Sequence, residues 1–205
     1  LDVYDATYQG GGVAIRGFRA AGTLDNLVVS TAPRYHADFE NGSIAEWDTA
    51  GTWGTDGKMK LSAGQTETDP SGCALVGNAG WSDLKLEADV VLGKDSLAGL
   101  IVRGKLHEEG LSGYQVLLDE KQNKVQFVLN RNGASAVLKE VSLNLSPGSH
   151  HVAVTAANNL YTTHVDGKEV MKVTDQTYAK GKVGLTTKDS SVSFDHVEAK
   201  DQFIY

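Results

Sequence analysis

The sequence is poor in the residues that cross-link, kink or anchor a chain. Cysteine occurs once, at Cys73, so no disulfide can close within the chain. Cys73 lies in the apolar run Gly72-Cys-Ala-Leu-Val76, which reads as a strand and makes a buried core thiol the expected state. No apolar run approaches the roughly 18 residues of a membrane-spanning helix, so no membrane partner is expected. No secretory leader is visible, and that leaves export open. Positive charge is in deficit: 19 Lys and Arg face 26 Asp and Glu, for a formal net charge of −7. With no basic patch to offset it, a nucleic-acid partner is not expected. Helical spacing is missing as well, because Gly or Asn-Gly interrupts most stretches of eleven or more residues.

What is present is alternation and turn chemistry. Leu84, Leu86, Ala88 and Val90 fall on one face of a strand, with Lys85, Glu87 and Asp89 on the other. Val125, Phe127 and Leu129 repeat the pattern. Between such runs lie Asp56-Gly57, Arg131-Asn132-Gly133, Asn158-Asn159 and Asp166-Gly167. Asn and Gly supply the positive φ values that tight hairpins need. With 23 glycines and only 3 prolines, the composition favours short strands joined by tight turns. The expected fold is all-β, an antiparallel sandwich.

One stretch occurs twice. Asp5, Thr7, Tyr8, Gly11, Val13 and Asp25 recur as Asp175, Thr177, Tyr178, Gly181, Val183 and Asp195, always 170 residues apart. A period this long is domain-sized. Residues 1–34 are therefore expected to be the closing strands of one copy, and residues 35–205 a complete second copy. The upstream copy would be a partner within the same chain, and tandem modules suit a binding protein.

Several ordered segments carry a resemblance. They are Asp38-Phe-Glu-Asn-Gly, Trp47, Gly51-Thr-Trp53, Trp81-Ser-Asp-Leu, Ala98-Gly-Leu-Ile-Val-Arg103-Gly, Gly113-Tyr-Gln-Val, Val165-Asp-Gly167 and Gly181-Lys-Val-Gly-Leu. In this order they resemble concanavalin-like jelly rolls, and most of all family 66 carbohydrate-binding modules, over residues 36–201. The resemblance implies a non-catalytic, extracellular jelly-roll module. It would bind the terminal fructose of fructans such as levan and tether a glycoside hydrolase to its polysaccharide.

The residues offer candidates for such a site. Arg103 carries five donors in a rigid fork suited to adjacent sugar hydroxyls. A loop over residues 105–110 is expected to supply a carboxylate, Glu108 foremost. The following strand adds Gln115 and Asp119 on one face and Tyr114 on the other. A solvated loop with a surface ion pair explains the same residues. If the clamp holds, Arg103→Ala should abolish binding without unfolding the protein. Trp53 and Trp81 lie near Gly-rich turns and can stack on a sugar or pack in the core; Trp47 reads as core. Glu40 and Asp195, on segments expected to lie side by side, suit a structural Ca²⁺ or simple turn capping. His150 and His151 face opposite ways on a strand and cannot easily share a metal.

Two alternatives remain beside the binding module. A jelly-roll glycosidase needs paired carboxylates, for which Glu87 and Asp89 are the nearest match, although Lys85 shares their face. A laminin-G-like adhesion module would show an exposed apolar patch or a long open edge.

Overall fold

The computed structural model describes residues 34–61, 72–189 and 191–201. The first copy of the repeated stretch therefore lies outside the described residues. Among the described residues there are fifteen strands and no helix. In chain order they are β1 (Tyr35–Ala37), β2 (Asp48–Ala50), β3 (Trp53–Thr55), β4 (Met59–Leu61) and β5 (Gly72–Val76). Next come β6 (Leu84–Leu92), β7 (Leu97–His107), β8 (Gly110–Asp119), β9 (Lys124–Arg131) and β10 (Ala134–Ser142). The last are β11 (Gly148–Ala157), β12 (Leu160–Val165), β13 (Lys168–Thr174), β14 (Lys182–Thr187) and β15 (Ser193–Asp201).

They form the expected antiparallel jelly-roll sandwich. One sheet has the order β13-β12-β11-β6-β15-β4-β3, with β1 also paired to β15. The other has the order β10-β9-β8-β7-β14-β5-β2. The alternating apolar residues face each other across the interior. Leu86, Ala88, Val90, Val125 and Phe127 are all 0% exposed, and Trp47 lies in the same core. Cys73 is buried too, in a small cluster with Leu75, Ile101 and Leu111. Fully burying one such side chain contributes about 1.5–3 kcal/mol, so the paired inner faces dominate the stability.

The turns follow the turn residues. Asn132-Gly133 joins β9 to β10 and Asp166-Gly167 joins β12 to β13, and all four residues have positive φ. Two-residue hairpins with that geometry match the strand twist. The segment over residues 105–110 departs from the expected loop. Lys105, Leu106 and His107 are paired with Ser112, Leu111 and Gly110, which leaves only Glu108 and Glu109 as the turn.

One irregularity positions everything that follows. The β7–β8 register jumps from Val102↔Tyr114 to Lys105↔Ser112, so Arg103 and Gly104 together oppose Gly113. This is a β-bulge, and Arg103 takes φ +53° within it. Two glycines make room for it. A Cβ on Gly113 would lie 2.7 Å from the Arg103 carbonyl oxygen, and one on Gly181 would lie 2.3 Å from its carbonyl carbon.

Candidate functional site

The bulge reverses the phase of alternation at Arg103. Strict alternation puts its side chain with Ile101 on the outer face. Instead its guanidinium bridges the two sheets. Nη1 donates to the Tyr161 hydroxyl at 2.7 Å and to the Tyr178 carbonyl at 2.8 Å. Nη2 donates to the Asn158 carbonyl at 2.6 Å and to Asp83 Oδ1 at 3.3 Å. The guanidinium also lies over the Tyr161 ring, 5.1 Å from its centroid. Arg103 is 3% exposed. A buried cation persists only when its donors are met. Here one carboxylate and three neutral oxygens meet four of the five, and Nε–H is left without a partner among the described residues.

An aromatic group supports this arrangement. Tyr114 packs 4.6 Å from Tyr161, 5.4 Å from Phe127 and 5.7 Å from Tyr178, centroid to centroid. Its hydroxyl donates to Asp175 Oδ1 at 2.6 Å and accepts from the Tyr178 amide at 3.0 Å. Burial, and then the hydrogen bond to Asp175, push the Tyr114 hydroxyl pKa up, so it stays a donor. Burial likewise raises that of Tyr161. Asp175 also caps its own turn by accepting from the Thr177 amide at 2.8 Å. The repeated residues Asp175, Tyr178 and Gly181 thus all serve to hold Arg103.

Two hollows flank Arg103 and Tyr178 at this end of the sandwich. The larger, of about 590 Å³, is lined further by Ser82, Asp83, Asn158, Asn159, Gln176 and Ala179. Asp83 precedes β6, the two asparagines form the β11–β12 turn, and Gln176 lies between β13 and β14. The β6–β11–β12 order of one sheet and the β7–β14 pairing of the other bring these loops together. Asp83 Oδ1 accepts from the Asn158 amide at 2.8 Å, and Oδ2 has no partner among the described residues. The smaller hollow, of about 350 Å³, is lined by Lys105, His107, Ser112, Asn132 and Lys180 together with Arg103 and Tyr178.

A third depression, of about 240 Å³, lies on the outer face of the seven-stranded sheet. Its polar floor is a relay. Ser135 donates to Asn130 at 2.6 Å, Asn130 to Gln115 at 3.0 Å, and Gln115 to Thr186 at 3.1 Å. Lys188 is the one titratable side chain that lines it.

The expected site residues are therefore dispersed. Arg103 borders both end hollows, but its carboxylate partner is Asp83 and not the 105–110 segment. Glu108 is exposed at the hairpin tip and lines none of the three hollows. Gln115 belongs to the outer-face relay. Asp119 sits at the far end of β8, where it caps a turn by accepting from the Gln122 amide at 2.9 Å. Tyr114 is 0% exposed, and Trp53 is buried against Phe194 with its Nε1–H donating to the Ala50 carbonyl at 3.1 Å. Trp81 is half-buried, with its ring on Gly77 beneath the Arg34 guanidinium. Its carbonyl accepts from the Gly181 amide at 3.0 Å, close to the larger hollow.

The calcium donors do not fit a hard cation. Asp195 is buried, its Oδ2 is 2.6 Å from the Lys58 ammonium, and its Oδ1 accepts from the His196 amide at 2.9 Å. Glu40 is exposed and is not brought into contact with it. Among the described residues no group of three or more His, Cys, Asp and Glu side chains could hold an ion. A divalent cation needs several free oxygens, and an ammonium already fills that role at Asp195.

Sequence reasoning passed over Asp83, Asn158, Asn159 and Gln176. They lie in three loops far apart in sequence, and Asn158-Asn159 reads as an ordinary turn, so no local spacing marked them. The one signal was the repeated Asp175-Gln-Thr-Tyr178, whose residues close the same end of the sandwich.

Comparison with known proteins gives the fold independent support. A family model described as a 3-keto-alpha-glucoside-1,2-lyase-like domain matches residues 35–200. No curated protein matches the sequence significantly. The carbohydrate-binding module CBM66 from Bacillus subtilis superposes with a TM-score of 0.65 at 22% identity, over 76% of this chain and 96% of that one. A Bacillus licheniformis beta-glucanase superposes at 0.61 with 14% identity, over 82% and 98% of the two chains. A Bacillus subtilis protein of unknown function with a galectin-like fold gives 0.65 at 9% identity, over 83% and 96%.

Proposed function

The chain belongs to the 3-keto-alpha-glucoside-1,2-lyase-like domain family, and from that premise we propose that it is a non-catalytic carbohydrate-binding module. Its preferred ligand is the terminal fructose of a fructan such as levan. A family supplies the scaffold, whereas function resides in the site. The observation that carries this reading is the larger end hollow. One oxygen of Asp83 is fixed by Arg103 and the Asn158 amide, and the other is free to accept from a sugar hydroxyl. The amides of Asn158, Asn159 and Gln176 surround it with paired donors and acceptors.

The distribution of carboxylates supports the non-catalytic half. Asp83 is the one carboxylate lining the end hollow, and the outer-face depression has none. Hydrolysis by the usual route needs two, about 5–9.5 Å apart. A 1,2-elimination from a 3-keto sugar needs a base for the C2 proton and an acid for the departing oxygen. Glu87 and Asp89 lie on the outer face of the eight-stranded sheet among Lys85, Lys200 and His151. Burial works to raise the Glu87 pKa, but the ammoniums of Lys85 and Lys200 outweigh it and hold the carboxyl below its usual range. Such a group is a poor proton donor.

A module of this kind acts outside the cell by tethering an attached glycoside hydrolase. A single site is expected to bind at roughly micromolar to millimolar Kd, with avidity on the polymer. Calorimetric titration with levan, inulin and fructose tests the reading, and Asp83→Ala should abolish the heat. Silence with all three ligands in the unmodified protein would refute the fructan assignment.

A further inference from the structure

We propose that the smaller hollow beside Arg103 binds an oxyanion carried on a glycan: the carboxylate of a uronic acid residue or a sulfate ester. It is a cationic cavity in an acidic protein. Arg103, Lys105, His107 and Lys180 line it, and no carboxylate does. Among the described residues, seven other lysines, Lys58 and Lys182 among them, sit in ion pairs. Lys105 and Lys180 have no such partner among the described residues. Arg103 adds charge that is only partly neutralised. Three of its four hydrogen bonds go to neutral oxygens, and its one carboxylate, Asp83, lies at 3.3 Å and lines the other hollow. Uncompensated charge in a concave, low-dielectric wall focuses its field into the cavity.

The fold gathers these side chains from adjacent strands. Lys105 and His107 are two apart on β7, so they share a face. Lys180 precedes β14, and the β14 residue Lys182 pairs with Gly104. The neutral lining is already oriented. The Ser112 hydroxyl donates to Asn132 Oδ1 at 2.9 Å and accepts from the Asn132 amide at 3.0 Å. The Asn132 side-chain nitrogen is then the group left to donate to a ligand. A dense set of donors beside one anion-seeking cavity suits a charged saccharide better than a neutral one.

This inference is independent of the fructose reading, since the two hollows share only Arg103 and Tyr178 as a wall. The test is an NMR titration of the whole chain at low salt with glucuronate, glucose 6-sulfate, glucose and sodium sulfate. Glucuronate and glucose 6-sulfate should shift the amides of Lys105, Ser112, Asn132 and Lys180, with glucose at least about tenfold weaker. The Lys105→Gln/Lys180→Gln variant should lose about tenfold or more in affinity for the charged sugars while keeping its melting temperature, and the Lys105→Arg/Lys180→Arg variant should retain binding. Asp83→Ala removes the one carboxylate paired with Arg103, so anion binding should be as strong or stronger while fructose binding is lost, which separates this site from the fructose pocket. No shift with either charged sugar, or undiminished affinity in the Gln variant, would overturn the proposal. Inorganic sulfate binding as tightly as the charged sugars would overturn the assignment to a saccharide.

Discussion

Replacing Tyr114 by Phe removes one oxygen atom and tests the support behind the end hollow. That oxygen donates to Asp175 at 2.6 Å and accepts from the Tyr178 amide at 3.0 Å. Losing a hydrogen bond to a charged acceptor costs about 1.5–3 kcal/mol, and leaving a buried donor unmet costs about 1–3 kcal/mol. Asp175 keeps its bond from the Thr177 amide, so a total of about 3 kcal/mol is expected. For a domain of this size, that lowers Tm by about 6–12 °C. The deficit should depend on pH in a definite direction. Burial opposes ionisation of Asp175, but its bonds from Tyr114 and Thr177 and the charge of Arg131 hold its pKa below the ordinary 3.8. A depressed carboxyl pKa contributes stability above the unfolded value, and that stability is lost as pH falls through the folded one. The gap between the two proteins should therefore be full at neutral pH and narrow below 3.8. Calorimetric melts across that range measure it. A neutral-pH loss under about 2 °C, or a gap that stays constant into acid, would refute the reasoning.

Arg103→Met should cost about 3–5 kcal/mol, because it strands two carbonyls and the Asp83 carboxylate that the guanidinium satisfied. Equilibrium urea unfolding checks this, and a loss of that size would count against the expectation that Arg103 can be replaced without unfolding the protein. Gly181→Ala should cost about 1–3 kcal/mol, since its Cβ meets backbone and not a yielding side chain; the same unfolding assay reads it. EDTA should move Tm by less than about 1 °C, because Lys58 already neutralises Asp195. Lys58→Met should instead lower Tm by at least about 2 °C by leaving that buried carboxylate unpaired.

Much of the scaffold was legible because alternation is a local property. The faces of Leu84–Val90 and Val125–Leu129 depend only on strand pleat, and they lie as expected. Asn132, Asn158 and Asp166 take the left-handed conformations that their side chains tolerate. Trp47 and Cys73 are buried as read from their runs. Legibility failed where a local rule broke. The bulge at Arg103 inverted the alternation for one residue, and that residue organises the end of the sandwich. The Arg-Gly pair facing Gly113 was the available hint. Asp83, Asn158 and Gln176 escaped for another reason: only the strand order joins three loops that are far apart in sequence.

The pairing of β1 with β15 has a mechanical side. Tyr35 opposes Ala199 and Ala37 opposes Val197, and the Arg34 amide donates to the Ala199 carbonyl at 2.7 Å. Tension applied through residues 34 and 201 enters both strands at the same end. Ladder bonds lie perpendicular to the strands, so this load acts along them and opens them one after another, as a zipper opens. A ladder sheared along its length would instead share the load among all its bonds. The sandwich should yield first at this short seam when pulled, while the two long sheets behind it remain closed.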